Sequence, residues 1–357
     1  MALSVPSPTC IKGFQVPKTK GKAFGHELYP ISSPNKEGYL AVSDKHALFY
    51  ATYGNPKGRS IVVLHGGPGG GCEDALTRFF DLSEWHVVMF DQRGAMRSTP
   101  FGCMEENTPQ NSIADIEVLR KHLEIKQWVV FGGSWGSTLA LLYGQEHPEQ
   151  CLGFILRGIF LGREQDYLHL IDGMGKIFPD AYDSFFNYLP KEEQGDLLSA
   201  YYKRVMDPNP EVHMPAARAF IKYDSICSTH LPNTENVEKV IGNDMLTLSI
   251  ARAFFYYSYH KFFLQPNQIL SRMHSIAQIP SVIIHGRWDA ICRPEMAYSL
   301  HKSWQNSALW LIPDGGHSAN DPAISQALAN ATDLFIEQIK QKSEEKMETS
   351  EVYIKIC

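Results

Sequence analysis

The stretch VVFGGSWGSTLALLYG, residues 129–144, constrains the fold more than any other part of the chain. A short β-branched and aromatic run leads into two glycines, a serine and a third glycine, and a helix-permissive run follows that closes at Pro148. A strand that reverses directly into a helix leaves no room for side chains beside the turn. Gly132, Gly133 and Gly136 would therefore let Ser134 stand exposed at the top of a sharp elbow. Read locally, the same letters also fit a glycine-rich turn with an incidental serine. The two readings part on what the rest of the chain supplies, because a serine hydroxyl is a weak nucleophile that needs a base and an orienting acid.

Strand-like runs recur along the chain: SIVVLHG, HVVMFDQRG, QWVVFGG, CLGFILRG, PSVIIHG and ALWLIPDGG. Helix-like segments separate them, as in SIADIEVLRKHLEI, which predicts a helix capped by Ser112 with Asp115 three residues on. Strand alternating with helix predicts the α/β class, with a mostly parallel central sheet and helices on both faces. The earlier runs GYLAVS and ALFYATYG, joined by a short turn, predict an antiparallel edge. Between LRGIF and QIPSVIIHG the pattern changes to mixed aromatics and charges with few strand-like runs. Residues 161–271 are therefore expected to be an inserted helical cap over the carboxyl edge of the sheet, where open α/β folds bind ligands. Residues 28–160 and 272–340 form the expected core, 1–27 a mobile arm and 341–357 a charged tail.

After Ser134, VIIHGRWDAICRP places Asp289 just past one strand, and LWLIPDGGHSAND places His317 just past the next. The order Ser, Asp, His, each at the carboxyl end of its own strand, brings all three to one edge of the sheet. His317 is then the base for the Ser134 proton, and Asp289 holds its tautomer. Acyl transfer also needs donors for a developing oxyanion. VVLHGGPGGG offers the Gly67 N–H, and Trp135, directly after the serine, offers a second. A phosphate loop is the rival reading of these glycines, but no G-x-x-x-x-G-K-[ST] pattern is present. A bare binding module on the same fold would not need the full set of reactive groups.

Composition removes several function classes. The formal net charge of -6 leaves no basic footprint for nucleic acid or an anionic membrane, and no run approaches the length of a bilayer span. The seven cysteines are odd in number and scattered, which argues against a disulfide framework or a zinc site and for a reducing cytoplasm. The 14 histidines include no HExxH, so no metal is expected.

From about Leu28 to Glu337 the chain resembles the proline iminopeptidases, the prolyl aminopeptidase group of α/β-hydrolases. LHGGPGGG, MFDQRGAMRS, VFGGSWGSTLALLYG, LRGIFLGR, HGRWDAIC and DGGHSA carry the likeness. The resemblance implies an α/β-hydrolase fold and a cytosolic serine exopeptidase that removes an N-terminal proline from a small peptide without metal or cofactor. It also implies where the substrate amine is read. The family holds that amine with two cap glutamates; here FIKYDS offers Asp224 at one position and ARAFFYYSY places Phe254 at the other. Counting from LRGIF puts Leu170 at the family's pocket tyrosine, while Arg157 and Phe160 remain. Met96 stands where the family has glycine. Loss of one carboxylate leaves two expectations open: an iminopeptidase with a rearranged pocket, or a relative recruited to another small-molecule ester or amide.

Overall fold

The computed structural model describes residues 27–354, with side chains through residue 339. The 1–27 arm lies, but for Glu27, outside the described residues, as do Cys10 and Cys357. Eight strands form one sheet: β1 Lys36–Ala41, β2 Ala47–Gly54, β3 Arg59–Leu64, β4 Trp85–Phe90, β5 Trp128–Gly133, β6 Cys151–Arg157, β7 Ser281–Gly286 and β8 Ser307–Ile312. Their spatial order is β1-β2-β4-β3-β5-β6-β7-β8; β1 and β2 pair antiparallel at one edge, β2 joins β4 antiparallel, and every later pair is parallel.

The parallel strands read as continuous apolar runs because both of their faces are buried. In β3, Ile61 and Val63 enter one core while Val62 and Leu64 enter the other; β5 divides Val129 and Phe131 from Trp128 and Val130 in the same way. Two of the crossovers that parallel pairing requires are the helices α1 (Pro109–His122), between β4 and β5, and α2 (Trp135–Glu146), between β5 and β6, while β3 reaches β4 through a loop with the short 3-10 segment Asp74–Phe79. Seven helices lie between β6 and β7: α3 Glu164–Ile171, α4 Pro179–Phe186, α5 Leu197–Val205, α6 Pro210–Ser228, α7 Thr234–Ile241, α8 Asp244–Tyr259 and α9 Gln268–Ser271. They fall where the sequence changes pattern. Then α10 (Pro294–Ser303) joins β7 to β8, and α11 (Pro322–Ile354) packs on the opposite face through Ile324, Leu328 and Phe335. Helix α11 continues into the segment read as a tail, whose Glu- and Lys-rich composition favours helix.

One helix start differs from expectation. The cap of α1 is Thr108, which accepts the Asn111 N–H at 3.3 Å and is followed by Pro109 at the first helical position. Ser112 is buried within the helix instead. The polar first turn Pro-Gln-Asn carries no apolar period, so a search for that period begins one turn late.

Candidate active site

Ser134 sits between β5 and α2 with φ 57° and ψ -126°, in the left-handed half of backbone space that a non-glycine residue seldom occupies. The elbow is over-determined by hydrogen bonds. The Ser134 N–H donates to the Arg157 carbonyl at 2.9 Å, and its own carbonyl accepts the Ser137 N–H at 2.8 Å and the Ser137 hydroxyl at 2.6 Å. Steric limits account for the surrounding glycines. A Cβ on Gly132 would lie 2.3 Å from the Gly136 carbonyl oxygen, one on Gly136 2.0 Å from that of Leu64, and one on Gly133 2.5 Å from the Arg157 guanidinium. The strand, the elbow and the helix close on one another with no space for a methyl group.

The neighbours of Ser134 arrive from two other strand ends. Its Oγ is 3.0 Å from His317 Nε2, and His317 Nδ1 is 2.9 Å from Asp289 Oδ2. Asp289 is 2% exposed, and its other oxygen accepts the Cys292 N–H at 2.7 Å. Burial alone would raise the Asp289 pKa, but His317, His285 and the Cys292 N–H hold the carboxyl below its ordinary range. His317 is fixed from both sides of its backbone: its N–H donates to the Ser228 carbonyl at 3.0 Å, and its carbonyl accepts Arg157 Nη1 at 2.7 Å. Ser228 ends α6, so the inserted helices touch the histidine loop directly.

A cavity of about 240 Å³ opens over Ser134. Gly67, Ser134, Trp135, Arg157, Phe160, Leu170, Asp224, Phe254 and His317 all line it, while Asp289 lies behind His317. Gly67 has φ +112°, and a Cβ there would meet the Gly69 and Gly70 nitrogens at 2.9 Å, so the loop requires glycine. Trp135 opens α2, where the first amides have no intrahelical partner. Phe254 is 3% exposed and stacks on Phe220 with ring centroids 4.8 Å apart. Leu170, Phe160 and Phe262 complete an apolar wall. Arg157 lines the cavity with its guanidinium engaged by the His317 carbonyl, and burial pulls its pKa down.

Asp224 is the exception in this wall. No hydrogen bond or ion pair reaches its carboxylate among the described residues. Burial pushes its pKa up to about 6, against the opposing pull of His317. Met96 takes φ 39°, the region glycine occupies without strain, and its N–H is 3.3 Å from the Ser249 hydroxyl.

Several site residues carry no sequence motif. His285 Nδ1 accepts the Ile159 N–H at 3.1 Å, so Nε2 carries the proton, donating to the Cys292 carbonyl at 2.7 Å and lying 3.5 Å from Asp289. Ser249 on α8 donates to the Gly69 carbonyl at 2.6 Å. The one available signal is polarity in an apolar context, as in VIIHG. Among the described residues no cluster of His, Cys, Asp or Glu is placed to hold a metal ion, Cys72, Cys103, Cys151, Cys227 and Cys292 are free thiols, and no helix is long and apolar enough to cross a membrane.

Chemically, a hydroxyl aligned with an imidazole and a buried carboxylate, in a cavity that Gly67 and Trp135 also line, can carry acyl transfer. Residues 59–323 match a family model described as the alpha/beta hydrolase fold. A probable proline iminopeptidase of Leptolyngbya boryana is 42% identical over 314 residues, 87% of this chain and 98% of that protein. The proline iminopeptidase of Arabidopsis thaliana is 43% identical over 86% of this chain and 81% of its own. The crystal structure of a proline iminopeptidase-related protein from Thermus thermophilus superposes with a TM-score of 0.56 at 20% identity, over 85% of this chain and 98% of that one, which bears on the fold. With this elbow, this order of strand-end residues and relatives matched over most of their length, the chain belongs to the proline iminopeptidase family of α/β-hydrolases.

Proposed function

We propose that this protein is a serine hydrolase that releases N-terminal proline from small peptides through an ester on Ser134. The observation that carries this reading is Asp224: an unpaired carboxylate beside the apolar side chains of Phe160, Leu170 and Phe254, in the same cavity as a hydroxyl already aligned with its base. A protonated terminal amine on Asp224 would lay a small apolar acyl group against Phe160, Leu170 and Phe254. The cavity, at about 240 Å³, falls below the usual range for drug-sized ligands and suits one residue.

In the first step Ser134 Oγ attacks the carbonyl carbon as His317 Nε2 takes its proton, and the Gly67 and Trp135 N–H groups receive the oxyanion. Collapse breaks the C–N bond, and His317 returns the proton to the departing amine. Water, deprotonated by the same nitrogen, then releases the acyl group. Asp289 keeps the His317 proton on Nδ1 so that Nε2 is free to accept, and Arg157 fixes the histidine loop. Residues 161–271 act as the cap that shapes the pocket. The recruited ester or amide hydrolase finds its support in Phe254 alone, whereas the relatives' names support the peptidase reading. The scattered free thiols support a cytoplasmic setting.

The test is Asp224→Asn, compared on a proline arylamide and its N-acetylated form. One charge-assisted bond contributes about 1.5 to 3 kcal/mol, so the free-amine preference is expected to fall about 10- to 100-fold. Because folding raises the Asp224 pKa, its charged form opposes folding above the unfolded value; the neutral variant is expected to show an equal or higher Tm. The preference is also expected to fade as pH drops through about 6, where Asp224 takes up a proton. His317 serves both substrates alike, so the ratio isolates Asp224. A preference unchanged in the variant would remove Asp224 from amine recognition.

A further inference from the structure

The two segments that carry the oxyanion donors come from different strands, His65-Gly66-Gly67 after β3 and Trp135 after β5, and one buried side chain spans them. Gln92 follows the carboxyl end of β4 and is 5% exposed. Its Oε1 accepts the Trp135 indole N–H at 2.8 Å, and its Nε2 donates to the His65 carbonyl at 3.0 Å. The amide has one possible orientation, because an indole N–H only donates and a carbonyl only accepts. The backbone N–H of Gln92 adds a third bond, to His65 Nε2 at 3.0 Å. That bond places the His65 proton on Nδ1, which donates to the Gly66 carbonyl at 3.0 Å, and the same carbonyl accepts the Gly70 N–H at 3.0 Å. Burial lowers the His65 pKa and favours this neutral form.

We infer that Gln92 is a positioning residue for the oxyanion site, setting the Gly67 and Trp135 N–H groups at the spacing a tetrahedral intermediate needs. The inference rests on the reading of Ser134 as nucleophile and of these two amides as donors. The Gln92 side chain reaches each segment through a single bond and does not line the cavity. Its removal therefore acts on where the donors point and leaves the groups that hold the substrate in place. Donors aimed at a developing charge lose their effect with small displacements, and loss of one whole donor costs about 10²- to 10³-fold in kcat. A displaced donor is expected to cost less than that, about 10- to 100-fold.

The experiment compares wild type, Gln92→Met, Trp135→Phe and the double variant. Methionine keeps the length of the side chain and loses both the bond to Trp135 and the bond to the His65 carbonyl. Phenylalanine at 135 cuts the indole bond and retains the amide donor itself, while also trimming the ring that packs on Tyr257 and Phe262 at the cavity wall. Each protein is assayed on a proline arylamide and titrated with pyrrolidine-2-boronic acid, which forms a tetrahedral adduct on a serine hydroxyl, and with L-proline, which does not. For Gln92→Met, kcat is expected to fall about 10- to 100-fold with KM within about threefold. Boronic acid affinity should weaken by the same factor while L-proline affinity stays unchanged. The double variant should lose less than the product of the two single losses, since both remove the same link.

A merely structural role would weaken both ligands together in the folded protein, and that result overturns the inference. So does a fall in kcat with boronic acid affinity intact. Should Gln92→Met not fold, Gln92→Leu carries the same comparison, with an effect of the same kind expected and equal weakening of both ligands contradicting it. Wild-type protein that neither binds the boronic acid nor is labelled at Ser134 by a fluorophosphonate would instead overturn the Ser134 reading, a failure separate from that of Gln92.

Discussion

Ser134→Ala is expected to lower kcat on a proline arylamide about 10⁶-fold, the loss that follows removal of a serine nucleophile from such a site. The fold should survive the change. The Ser134 hydroxyl bonds to His317 and meets the Cys292 thiol, while the elbow is held by the backbone N–H and carbonyl of residue 134, which alanine retains. The φ of 57° is no harder for alanine than for serine. The check is kcat together with Tm on purified variant; activity above a few per cent of wild type would sink the assignment of Ser134.

Asp289→Asn is expected to cost about 10⁴-fold through the wrong His317 tautomer. The geometry dictates which way the new amide must face. One oxygen of residue 289 accepts the Cys292 N–H at 2.7 Å and the other meets His317 Nδ1 at 2.9 Å. An asparagine keeps its carbonyl on Cys292, because the reverse orientation would oppose two donors. Its NH₂ then faces Nδ1, which must become an acceptor, and the imidazole proton moves to Nε2, where it blocks transfer from Ser134. Near-normal turnover would move the orienting acid elsewhere, with Asp314 the neighbouring candidate. Asp314, however, is exposed in the turn before His317, so the structure favours Asp289.

The parts of the site legible in the sequence are those written locally. The elbow needs three small residues within five positions, and Asp289 and His317 each follow an apolar strand run, so period and spacing locate all three. The supports of that site are long-range and leave no such trace. Gln92 lies 43 residues from the indole it accepts, and Ser249 lies 180 residues from the Gly69 carbonyl it holds. Each is a polar residue whose partner exists only after the sheet has formed. His285 is hidden differently: it sits at the end of a buried strand and acts through Asp289 and Cys292, with no motif of its own. Asp224 and Phe254 are reached through family likeness rather than through pattern, since aromatics at helical spacing read equally as core. Phe254 in fact serves both ends, stacking on Phe220 while facing the cavity. The late start assigned to α1 shows the converse limit, for a polar first turn capped by Thr108 is invisible to a search for apolar period.

The reading as an iminopeptidase turns on recognition of a free N-terminal amine beside an aligned serine. Its most direct test is the ratio of kcat/KM for wild-type enzyme on a proline arylamide, its N-acetylated form and a short-chain aryl ester at neutral pH. With Asp224 charged and unpaired in an apolar wall, the free-amine substrate is expected to exceed the acetylated one by about 10-fold or more, the value of one charge-assisted bond. An acetylated substrate or a simple ester turned over faster than the free-amine arylamide, with Asp224 intact, would contradict the assignment as an iminopeptidase.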